Sequence, residues 1–140
     1  MIKNRSSFIL TCLGLILLFG ACKKDTTSDI ATKEDYLGVW QCNEYDLSHQ
    51  LIATFQIEIY SHPDFVDKIL IDNFNQLGQG FQVEGIINNT SIDFPQQILS
   101  STTVSGHGFI TDQLQTIELQ YSVEDGTGNA ENIDANCSKL

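Results

Sequence analysis

The chain has 140 residues, of which 41% are hydrophobic and 18% charged; that composition suits one globular domain and excludes a disordered chain. Lys and Arg number 7 against 18 Asp and Glu, a formal net charge of -11. An acidic surface of that size repels phosphate backbones, so a nucleic-acid partner is excluded.

Lys3 and Arg5 open the chain, and Phe8 to Gly20 follows without a charge. A membrane-spanning helix takes about 20 apolar residues, so this shorter run reads as the hydrophobic region of a secretory signal. It ends in Phe19-Gly20-Ala21-Cys22. Small residues ahead of a Cys resemble the lipobox of bacterial lipoproteins, with Phe19 where Leu is usual. The resemblance implies that residues 1–21 are removed, that Cys22 carries the lipid, and that the protein hangs from the outer membrane of a Gram-negative bacterium. Its periplasmic and cell-surface faces are both compatible with this. One acyl chain holds only weakly, so two or three would be needed for a stable tether. Residues 22–35 are then the lipidated Cys and a flexible polar spacer, in which Asp25-Thr26-Thr27 resembles a short bacterial O-glycosylation motif. The folded domain is placed at 36–140.

From Tyr36 onward the dominant period is two. Phe55, Ile57 and Ile59 alternate with Gln56 and Glu58; Ile69 and Ile71 flank Leu70. Phe81, Val83 and Gly85 alternate with Gln82 and Glu84, Ile92 and Phe94 flank Asp93, and Ile117, Leu119, Tyr121 and Val123 complete the pattern. Each is a strand with one wet face. Breaks are expected at Leu47–Gln50, Ser61–Asp64, Asn75–Gly80, Asn88-Asn89, Pro95, Ser105–Gly108 and Asp112-Gln113, with a weaker strand over Gln96–Val104. One helical turn fits Thr32–Tyr36. The fold class is all-β: a small up-and-down antiparallel barrel of about eight strands, or alternatively a two-sheet sandwich.

Of four cysteines, Cys12 leaves with the signal and Cys22 goes to the lipid. Cys42 and Cys137 remain, an even pair in an exported chain, and a disulfide is expected. Gly38-x-Trp40 resembles the motif that begins the first strand of lipocalin-like (calycin) barrels, where the Trp closes one end and a basic residue packs across it. Lys139 is the basic candidate here. If first and last strands are antiparallel neighbours with Trp40 opposite Lys139, Cys42 falls opposite Cys137 in the same register, within disulfide reach. The order Tyr36–Trp40, Ile71–Phe74, Ile92–Pro95, Gly106–Gly108, Ile117–Tyr121 is similar to that of small calycin-like lipoproteins of Gram-negative bacteria. That resemblance implies fold and location and carries no catalytic residue across.

The search for chemistry points away from an enzyme. His49, His62 and His107 fall in expected turns, with no nucleophile elbow nearby. The acidic residues, Glu44 among them, are read as solubilising outer faces. Asp125–Asp134 has the composition of a calcium loop, but Ala130 and Asn136 stand where Gly and Glu are needed. No catalytic residue, metal site or cofactor is expected. Trp40, Phe55, Ile57, Phe81 and Tyr121 are the candidate lining of the barrel interior, which an eight-stranded barrel either fills with side chains or opens to one small ligand. Three roles stay open: capture of a small apolar ligand, a structural or protein-interaction module with a filled core, and inhibition of an exported enzyme through a projecting loop such as His62–Asp64 or Asn75–Gly80. An outward apolar patch at Leu70, Phe74 and Ile86 would serve the second.

Overall fold

The computed structural model describes residues 30–111 and 113–140. After a helical turn, α1 (Lys33–Tyr36), come eight strands: β1 (Gly38–Tyr45), β2 (Leu51–Ser61), β3 (Lys68–Asp72), β4 (Gln82–Asn88), β5 (Ser91–Leu99), β6 (Thr102–Thr111), β7 (Thr116–Glu124) and β8 (Ala130–Lys139). Each pairs antiparallel with its sequence neighbour, and β8 pairs back onto β1, closing the barrel. A sandwich is therefore excluded. Closure leaves no open sheet edge.

The alternation seen in the sequence sorts side chains between inside and outside. Trp40, Cys42 and Glu44 of β1 face inward, as do Ile57 and Ile59 of β2, Ile69 and Ile71 of β3, and Ile92 and Phe94 of β5. Ile117, Leu119, Tyr121 and Val123 of β7 complete the same core, with Ile133, Ala135 and Cys137 of β8. The seam has the expected register: Trp40 opposite Lys139 and Cys42 opposite Cys137. The two cysteines form a disulfide with Cα atoms 4.0 Å apart, the close spacing of a non-hydrogen-bonded pair.

Three boundaries differ from the sequence expectation. Pro95 does not stop a strand; β5 runs through it to Leu99, with a register shift against β6 between Phe94 and Gln97. A bulge is where a residue without an N–H is tolerated. The real turn is Ser100-Ser101, so the weak Gln96–Val104 strand is the end of β5 and the start of β6. Ser105–Gly108 is not a turn but the middle of β6. Its glycines are there for space: a Cβ on Gly106 would run into the carbonyl oxygen of Gln120 and come within 2.6 Å of the Tyr121 Cα. β6 and β7 approach there more closely than any side chain allows.

Strand direction sets two ends. α1, the C-terminus and the β2–β3, β4–β5 and β6–β7 connections lie at the entry end. The β1–β2, β3–β4, β5–β6 and β7–β8 connections lie at the far end. Ala31, ahead of α1, is already part of the core.

Candidate functional site

The interior was the expected site, and it is filled. Trp40 and Tyr121 face inward and are buried, with Ile57 between β1 and β3. Phe55 is half-buried against the core. Phe81 is misplaced by the period: it precedes β4, lies in the loop and is 42% exposed. The space left between Cys42, Glu44, Phe55, Leu119 and Tyr121 is about 10 Å³, room for one water at most.

Both ends are shut. At the entry end the Trp40 indole N–H donates to the Tyr36 carbonyl at 2.8 Å, and the Tyr36 hydroxyl donates to the Asn89 carbonyl at 2.7 Å. Lys139 lies 5.2 Å from the Trp40 ring centre and donates to the Asp35 carbonyl at 2.7 Å. It is a cation held over an indole face, as expected for the basic residue opposite Trp40. The Asp35 carboxylate is kept below the usual carboxylate range, first by the Thr32 N–H and then by the Thr32 hydroxyl.

At the far end the β3–β4 connection folds back over the mouth instead of projecting. Phe74, expected on an outward face, is 1% exposed. Its ring packs 4.6 Å from Tyr121 and 5.4 Å from Phe94, centre to centre. Asn73, Asn75 and Gln76 all take positive φ to bring it there. Asn73 secures the turn: its Nδ2 donates to the Gln56 carbonyl at 2.7 Å and its Oδ1 accepts from the Gly78 N–H at 3.1 Å.

Beneath that plug lies Glu44, the one buried charged residue among the described residues, at 2% exposure. It belongs inside, not on an outer face. The Tyr121 hydroxyl donates to its carboxyl and lies 3.3 Å from Asn75 Oδ1. Burial raises the Glu44 pKa, against the Tyr121 hydrogen bond and with the help of the nearby Glu131 charge. Burial and the Glu44 charge push the Tyr121 phenol well above its ordinary range. The signal for Glu44 was present in the sequence, since it shares the two-residue period of Trp40 and Cys42.

Two wider concavities lie outside. One groove of about 400 Å³ crosses the outer faces of β6, β7, β8 and the end of β1. One row across it is His107, Gln120, Asp134 and Tyr45, paired strand to strand. The next row is Phe109, Glu118 and Asn136. Phe109 is 47% exposed, and the His107 ring stands edge-on to it at 5.9 Å. Tyr45 reaches the groove's edge by the ordinary alternation of β1, in unbroken register with β8. Another hollow of about 430 Å³, at Gln56, Glu58, Asp72, Asn73 and Gln79, is polar and has no aromatic wall.

His107 is on a strand, not in a turn, and His49, in the β1–β2 turn, lines the same groove. The remaining polar candidates are spread apart. His62 Nε2 lies 3.4 Å from Glu84, which also takes Lys68 at 2.7 Å. Asp125 accepts from the N–H and hydroxyl of Thr127, an ordinary Asx turn between β7 and β8. Among the described residues no three His, Cys, Asp or Glu side chains gather as metal ligands. No helix among them is long and apolar enough to cross a membrane. Cys22 and the Asp25-Thr26-Thr27 motif lie outside the described residues. The chain matches no protein-family model, and no curated protein is significantly similar to it.

Proposed function

We propose that this is a lipid-anchored lipoprotein of a Gram-negative outer membrane whose barrel is a non-enzymatic binding or interaction module working through its outer wall. The basic start, the short apolar run and Gly20-Ala21-Cys22 support the anchor. The resemblance of Gly38-x-Trp40, and of the order of motifs after it, to calycin-like lipoproteins supports the same location. One observation carries the outer-wall reading: the space between Cys42, Glu44, Phe55, Leu119 and Tyr121 inside the barrel is about 10 Å³, while a groove of about 400 Å³ lies open outside. A small apolar ligand would first have to displace Phe74, so the mouth is a weak candidate for capture.

Two measurements test this. Labelled palmitate should enter the full chain in cells and fail to enter Cys22→Ser. A photo-crosslinking residue placed at Gln120 should give specific adducts on intact cells, while the same residue at Glu58 gives none. Failure to take up palmitate sinks the anchor; no specific adduct from either position sinks the outer-wall reading, and equal crosslinking from both sinks the assignment of the contact to the groove over β6, β7 and β8.

A further inference from the structure

Several outer-face polar side chains on β1 to β5 are tied to one another or to backbone. Thr54 donates to Asn43 at 2.7 Å, Gln41 to the Phe55 carbonyl at 2.9 Å, and Lys68 to Glu84 at 2.7 Å. Gln97 accepts from the Glu84 N–H and donates to its carbonyl, both at 2.8 Å. In the groove, Glu118, Gln120, Asp134 and Asn136 have no hydrogen-bond partner among the described residues. Their donors and acceptors are turned to solvent beside an exposed aromatic ring.

The lining argues for one ligand class. It holds two carboxylates and two histidines, His49 and His107, with no Lys or Arg, which weighs against phosphate, sulfate and anionic lipid head groups. A shallow wall with polar groups in every row gives a lipid chain no dry surface to enter. An exposed aromatic ring set among carboxylate and amide side chains fits a flat ligand with one apolar face and many hydroxyls. A carbohydrate ring has that form. Its C–H face carries a slight positive charge that matches the negative face of an aromatic ring. Adjacent hydroxyls suit carboxylate and amide side chains, which accept and donate in pairs. Strands are about 4.8 Å apart and outward residues about 6.6 Å apart along a strand, so the two rows offer polar groups at sugar-ring spacing.

We infer that the groove over β6, β7 and β8 binds a neutral saccharide, with Phe109 as the stacking platform and Glu118, Gln120 and Asp134 as hydroxyl partners. This rests on the outer-wall reading and names its ligand. His107, edge-on to Phe109, holds that ring in place.

The test uses the full chain in detergent micelles on an array of neutral oligosaccharides built from hexoses, deoxyhexoses and N-acetylhexosamines. Sulfated oligosaccharides and the polyamine spermine are the comparison probes. Retention is expected on neutral glycans and not on sulfated ones. Phe109→Ala and Glu118→Gln should each weaken it about tenfold or more, the loss of one stacking or charged hydrogen-bond contact. Phe109→Trp should keep it, and Phe81→Ala, a comparably exposed aromatic outside the groove, should change it by less than about twofold. Both groove positions are exposed, and equal melting temperatures would show that the variants fold. The inference is overturned if no neutral glycan is retained, if retention ignores Phe109→Ala and Glu118→Gln, or if only spermine binds. Crosslinking from Gln120 without glycan retention would overturn the ligand class and leave the outer-wall reading standing.

Discussion

The two ends of the barrel are closed by different means. At the entry end Trp40 and Tyr36 satisfy their polar atoms on backbone carbonyls, and Lys139 lies across the indole. At the far end a loop is bent inward through three non-glycine residues at positive φ, and its Phe74 sits above a desolvated carboxyl. Such backbone conformations cost about 1–3 kcal/mol each, less for Asn, but the entry end carries three of its own, at Asn89, Gln113 and Leu114. What sets the far end apart is the desolvated carboxyl of Glu44 beneath its plug, a cost the entry end does not bear. The far end is therefore expected to open first.

The sharpest way to break this contrast is to remove each plug in turn. Trp40→Ala should cost about 3–5 kcal/mol in urea unfolding, and Phe74→Ala should fall at or below the low end of that range, because a loop collapses into its own cavity. Equal or reversed costs would end the idea of a looser far end. Replacing Cys42 and Cys137 by Ala should cost about 2–5 kcal/mol. The bond lies between the two plugs, so hydrogen exchange should speed up at both ends; a change at one end alone would show that the seam belongs to that closure. Gly106→Ala should cost about 1–3 kcal/mol, with the exchange change concentrated around Tyr121.

The Glu44 prediction concerns pH. Its folded pKa is raised above the ordinary 4.5, so the folded state holds the proton more tightly than the unfolded one. Its contribution is then complete below about pH 4.5 and declines as pH rises toward the folded value. Melting curves from pH 4 to 7 should show this decline in the native chain and a flatter course in Glu44→Gln. Parallel curves would remove the buried charge from the account of the far end. The smallest effect belongs to the entry end: Lys139→Ala should cost about 0.5–1 kcal/mol.

The sequence was most legible where side chains alone carried the pattern. Ile57, Ile71 and Leu119 sit where a two-residue period puts them, and one register set Trp40 against Lys139 and Cys42 against Cys137. Legibility failed where backbone decided. Pro95 looked like a stop because the bulge that accommodates it has no sequence mark of its own. Gly106 and Gly108 looked like a turn because close strand approach and tight turning ask for the same residue. β8 was nearly invisible, since Ala135 and Cys137 are small and its outer face is Asn, Asp and Ser. Phe74 lay beyond the end of β3, where the period no longer applies and the loop's own turns aim the ring inward. The groove was hidden for another reason: it joins residues from four strands, and only the closed pairing brings Tyr45 beside Asp134.

The bond between Cys42 and Cys137 spans 95 positions of chain, which makes a covalent ring of almost everything that folds. A protease that nicked the exposed Asp125–Asn129 hairpin or the Ser100-Ser101 turn would cut the peptide and release no fragment. The nicked molecule would migrate as one band on an oxidising gel and as two after dithiothreitol. Its strands would still be held in order around the circle.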